Sequence, residues 1–153
     1  MKRFFEILRI TIVSPETVIL LLVIMIMLYW PTPFEFIGER FTSNEKLWEY
    51  ISFIPVGVFT FAVYLSFQLQ APVEGANREL YDWEIYWALK YRILAILVWT
   101  GLSVLCSLSI WLFSTHLPRT IVGSLFMGSL AVCLVAAATG ILALFTLKEI
   151  LTK

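Results

Sequence analysis

Two cysteines and a single histidine are the residues of this 153-residue chain best suited to thiol or metal chemistry, and their surroundings support neither. Cys106 and Cys133 both lie inside apolar runs, with no CxxC pair for redox work. His116 falls in the segment Ser114-Thr115-His116-Leu117-Pro118, beside Arg119, without a second histidine or an acidic cluster nearby. A structural or catalytic zinc would ask for three or four protein ligands. No serine sits in a GxSxG elbow, and the chain has neither a P-loop nor a dinucleotide fingerprint. The expectation is therefore a protein that is not an enzyme, with no catalytic residue, no metal and no cofactor.

What remains is chemistry of contact. In the stretch ELYDWEIYWALKYR, Leu80, Trp83, Trp87 and Tyr91 recur at steps of three and four, which places them along one face of a helix. Leu94 and Val98 continue the stripe. Trp and Tyr in this register suit an interfacial aromatic belt. They also suit a docking surface for a second protomer or a cytosolic protein, because such side chains anchor interfaces. A second pattern is made of small and hydroxyl side chains. Thr100, Ser103 and Ser107 form a mildly polar stripe, while Ser124-x-x-x-Gly128 and Ala136-x-x-x-Gly140 are small-xxx-small pairs. Such pairs let helices approach closely, and packing within one bundle is their simplest use. An oligomeric pore lined by the same stripe is the alternative.

The elements that must carry these stripes follow from composition. The chain is 60% hydrophobic, 16% aromatic and 14% charged, whereas soluble domains carry about a quarter charged residues. A soluble fold would have nowhere to bury so many apolar side chains. Eleven basic and eleven acidic residues give zero net charge, which removes any electrostatic case for nucleic acid. The fold class expected is an all-α integral membrane protein in one domain, with four transmembrane helices and both termini inside.

Residues 1–13 are too charged to span and suit an amphipathic helix in the inner interface. Ser14-Pro15-Glu16 is a helix start, with a hydroxyl cap, proline at the first position and an acid in the first turn. The first span, 15–30, is short for a bilayer core and stops at Pro31 and Pro33; it calls for local thinning or burial in the bundle. The outer segment 31–50 mixes aromatic and charged residues, which suits an ordered loop or an amphipathic helix on the headgroups. The second span, 51–69, carries Pro55 and Gly57 near its outer end, where neighbouring helices can compensate for the hydrogen bond a proline removes and where prolines often kink a helix. An inner turn and a projecting helix fill 70–92, with Asn77 as cap; the third span is 93–113 and the fourth 120–147. Antiparallel packing of the last two sets Cys106 and Cys133 at different depths, out of disulfide reach.

Eight basic residues flank one side of these spans and three (Arg40, Lys46 and Arg119) the other. The positive-inside bias puts the first set, and with it both ends, in the cytoplasm. Short loops and the lack of an N-x-S/T sequon fit a bacterial inner membrane. Apart from Glu16 in the first turn of the first span, none of the four apolar spans so drawn contains Asp, Glu, Lys, Arg or His. Glu16 is accounted for by its first-turn position, which argues against an ion-coupled carrier.

Small multidrug exporters require an embedded acid in the first span, and tetraspanins and claudins carry outer-loop cysteines; this chain has neither. Its architecture is similar to that of holin-like proteins and of membrane proteins in bacterial antiphage and abortive-infection systems, an analogy of span number and size alone. The function expected is a subunit that self-assembles or recruits a cytosolic partner as anchor, sensor or relay. A homo-oligomeric pore or membrane-permeabilising effector is the rival.

Overall fold

A computed structural model describes residues 14–43, 50, 53–70, 84–113 and 116–151, without the side chains of 42–43, 68–70, 84–88 and 146–151. The expected interfacial helix at 1–13, the inner turn, Leu80, Trp83 and the side chain of Trp87 lie outside that description. Among the described residues there are five helices: α1 (Pro15–Tyr29), α2 (Thr32–Ser43), α3 (Ile54–Gln70), α4 (Glu84–Phe113) and α5 (Arg119–Leu151).

Ser14 caps α1 as its sequence suggests. Its backbone is extended and its hydroxyl accepts from the Thr17 N–H at 3.4 Å, while Pro15 occupies the first turn, where no N–H is needed. The helix ends at Tyr29 because Trp30 precedes Pro31, and a residue before proline is pushed out of the helical region. The chain then turns through 99° into α2. The segment expected to be a loop or an amphipathic helix is thus a helix over twelve of its residues. Pro55 lies in the first turn of α3, where proline removes no helical hydrogen bond. It therefore starts the described helix and does not kink it.

Two helices, over Leu89–Phe113 and Arg119–Phe145, are long and apolar enough to cross a membrane. The bent pair α1–α2 reaches that standard only when the two are taken together, and the apolar part of α3, Ile54–Phe67, is shorter. The apolar run of α4 starts at Leu89, four residues before the expected Ile93, so Arg92 falls inside it.

α5 is the hub, packing closely against α1, α2, α3 and α4, while α3 also packs on α4. Its small residues make this possible. At one end of the molecule Phe41, Ile110, Val122 and Phe126 form a buried cluster, with the Phe41 and Phe126 rings edge to face at 4.8 Å. Towards the other end Ala62, Ile96 and Ala136 meet. The same end collects the start of α1, the last half of α3, the start of α4 and the later turns of α5, so these four run alternately up and down.

The closest approach is between α2 and the start of α5. A Cβ at Gly38 would overlap the Arg119 carbonyl, and one at Gly123 would overlap the Phe34 carbonyl. Backbone lies on backbone at this crossing, as glycine pairs permit. Its rim carries an exposed ion pair, Arg119 to Glu39 at 3.4 Å, and a hydrogen bond from Thr120 to Glu35 at 3.3 Å. Glu39→Gln should leave thermal stability within about 1 kcal/mol of the parent in detergent, because exposed pairs hold little net energy.

Large apolar side chains cover the outside. Leu28, Leu134 and Phe145 are all more than 60% exposed, and Leu105, Trp111 and Leu112 of α4 more than half. Water-soluble monomers do not display contiguous apolar surface on this scale. Among the described residues the protein is all-helical, with two helices long and apolar enough to span a membrane.

Candidate functional site

A buried charge lies at the junction of α1, α4 and α5, at the end of the bundle where α1 starts. The Ser14 cap and Pro15 fix the first turn of α1, so that Glu16 points into the bundle and is 0% exposed. Arg92, in the third turn of α4, meets it with both terminal nitrogens, Nη1 to Oε2 at 2.9 Å and Nη2 to Oε1 at 2.5 Å. This is the planar two-bond match that guanidinium makes with carboxylate. Thr139 of α5 completes the cluster. Its hydroxyl accepts from Arg92 Nη2 at 2.8 Å, lies 3.4 Å from Glu16 Oε1 and is 2.9 Å from the Val135 carbonyl.

The arrangement is electrically neutral and nearly saturated. Both carboxylate oxygens are engaged, and the arginine side chain retains 21% exposure, a path to the bundle surface for its charge. Neutrality is what lets two ionised groups persist among apolar helices. The pair offers no free general base, and no group of three metal-ligating residues exists among the described residues. Its chemistry is to bind α1 to the α4–α5 pair.

Sequence reasoning assigned Glu16 to a helix start and placed Arg92 outside the third span, so it missed their pairing. The signal was there in part. Glu16 and Arg92 are opposite charges at the same end of two apolar helices, Arg92 two residues from Lys90, and Thr139 is a hydroxyl at the same level of a third.

The expected hydroxyl stripe is interior. Thr100, Ser103 and Ser107 are buried, as are Ser129 and Ala136. Thr100 donates to the Ile96 carbonyl at 2.8 Å, Ser103 to Trp99 at 3.0 Å and Ser129 to Phe126 at 2.9 Å. Bonding back to its own helix is how a hydroxyl satisfies itself without water. Ser107 Oγ is buried without such a partner among the described residues. Ser124, half-buried, donates to Ile121 at 2.9 Å. Gly128 lies against Leu20 and Val23 of α1, and Gly140 against Leu65 and Ile96. All these positions are therefore used in packing within the chain. Cys106 and Cys133 are free thiols, and Ser103 hydrogen-bonds the Cys133 side chain.

Of the aromatic stripe, Trp87 lies on α4 and Tyr91 is half-buried in the same early part of that helix. Leu94 and Val98, which continue it, are about 40% exposed on the outer face of the bundle. Compared with known proteins, the chain matches no family model, no curated protein and no solved structure, so its own geometry has to carry the functional reading.

Proposed function

We propose that this chain is a non-enzymatic membrane subunit that assembles with itself or with a cytosolic partner, serving as anchor, sensor or relay. It crosses a bacterial inner membrane four times, with both termini in the cytoplasm. The eight-to-three bias of flanking basic residues and the alternating direction of α1, α3, α4 and α5 support that topology. A setting in a bacterial defence-type system is consistent with the size and span number, by analogy of architecture.

The observation that carries the reading is the continuity of α4. One unbroken helix from Glu84 to Phe113 joins Trp87 and Tyr91 to the outward-facing Leu94 and Val98. An aromatic stripe on a rigid rod that enters the membrane is a ready contact surface, and it is mechanically tied to the bundle. The pore alternative has less behind it, since Thr100, Ser103, Ser107, Gly128, Ala136 and Gly140 are taken up by internal packing.

The test is the mass of the assembly in nanodiscs for the parent and for the double variant Trp83→Ala, Trp87→Ala. Assembly through the stripe predicts a lower mass or a lost partner in the variant. An unchanged mass and unchanged partner recovery would sink the proposal. Ion flux from liposomes holding the purified parent would instead establish the pore.

A further inference from the structure

We infer that α1 is a hinged lever whose inner end is latched by the Glu16–Arg92–Thr139 cluster. The inference goes beyond the assembly reading, because it concerns motion inside one chain whatever that chain binds.

Three observations fix the parts. The hinge is Trp30–Pro31, a non-helical link between two helices set at 99°. On the far side of the hinge, α2 lies backbone against backbone on α5 at Gly38 and Gly123, the closest helix contact described. The near side, α1, packs along α5 alone among the helices it approaches closely, and its other face is apolar and open. Val18, Leu21, Leu22, Met25, Ile26 and Leu28 are each more than 40% exposed.

The physics of the bilayer then singles out the latch. Between lipid and protein there is no hydrophobic preference, since acyl chains are as apolar as leucine. The contact of Leu20 and Val23 with Gly128 therefore contributes packing but no solvent-driven force. The ion pair differs. Away from Arg92, Glu16 would carry an unpaired charge into the membrane, and charges at depth are expensive. The polar cluster at the inner end thus decides whether α1 is docked. Opened, Arg92 extends its long side chain to the inner surface, a movement its partial exposure already allows.

The experiment is electron paramagnetic distance measurement in nanodiscs on full-length protein carrying Cys106→Ala and Cys133→Ala. One spin-label pair, Val18→Cys with Leu134→Cys, reports the inner part of α1 against α5. A second pair, Phe36→Cys with Leu134→Cys, reports α2 against α5. All three sites are exposed in the bundle. Glu16→Gln should broaden the first distribution and shift it by about 6 Å, the travel of a lever about 22 Å long tilted by about 15°. The second distribution should stay narrow and unmoved. A first distribution unchanged by both Glu16→Gln and Arg92→Leu would overturn the latch. Broadening of both pairs together would overturn it as well, because α1 would then have no motion separate from the bundle. If Glu16→Gln does not yield folded protein, Thr139→Val, which removes only the hydroxyl partner, should shift the first pair in the same direction by less; no shift there overturns the proposal.

Discussion

Arg92→Leu should destabilise the folded bundle by about 3–5 kcal/mol, the usual result of leaving one member of a buried ion pair without its partner. Glu16 is completely buried, so its carboxylate has no route to water once the guanidinium is gone. Glu16→Gln should cost about half as much. In that variant Arg92 keeps Thr139 as a partner and can send its charge to the bundle surface along the exposed part of its side chain. Replacing both at once, Glu16→Met with Arg92→Met, should recover most of the loss, since well-packed apolar side chains often match a buried pair. Unfolding in mixed micelles for the three variants tests both the order and the recovery. Equal losses for the two single changes would mean that burial is symmetric, contrary to the exposures observed. A double variant as unstable as Arg92→Leu would mean that shape, and not charge, governs the junction.

Gly38→Val and Gly123→Val should each cost about 3 kcal/mol or more, at the upper end of overpacking effects. At both positions the obstacle is backbone, the carbonyl of Arg119 or of Phe34, and neither can turn aside as a flexible side chain would. The crossing of α2 over α5 must open, and the cluster of Phe41 with Ile110, Val122 and Phe126 lies beside it. Loss of that packing should appear as earlier thermal unfolding and as a change in near-ultraviolet circular dichroism. Gly57→Ala is the internal control. A Cβ there meets nothing within 4 Å, so the substitution should be neutral or slightly stabilising through helix propensity. Were all three substitutions equally mild, the close approach of α2 to α5 would be wrong.

These expectations divide according to what each level of structure can know. The membrane character and the helices were legible in the sequence because they depend on composition and on short-range signals. Ser14-Pro15-Glu16 starts α1 and the prolines after Trp30 stop it, through interactions spanning three or four residues. The aromatic segment 31–50 contains α2, one of the two forms its mixture of charge and ring allowed. The placement of small residues on span four anticipated a helix that others could approach closely, and α5 is that hub.

The candidate site was legible only as its separate parts. Glu16 and Arg92 stand 76 positions apart, and Thr139 a further 47 beyond Arg92. Each has a local explanation: a first-turn acid, an inner flanking cation and a helix-packing threonine. Nothing within a few residues of any of them points to the other two. Their meeting follows from the direction in which α1, α4 and α5 run and from the rotation of each helix about its axis, and both are set by packing across the whole bundle. The same holds for Gly38 and Gly123, whose requirement for glycine comes from a partner helix and not from their own backbone. By itself the sequence determined that the chain is helical, belongs in a bilayer and places its starts and stops where it does. Tertiary structure alone decided that the buried Glu16 carboxylate is neutralised by an arginine from another helix, because pairing charges across distant segments is a property of three-dimensional proximity.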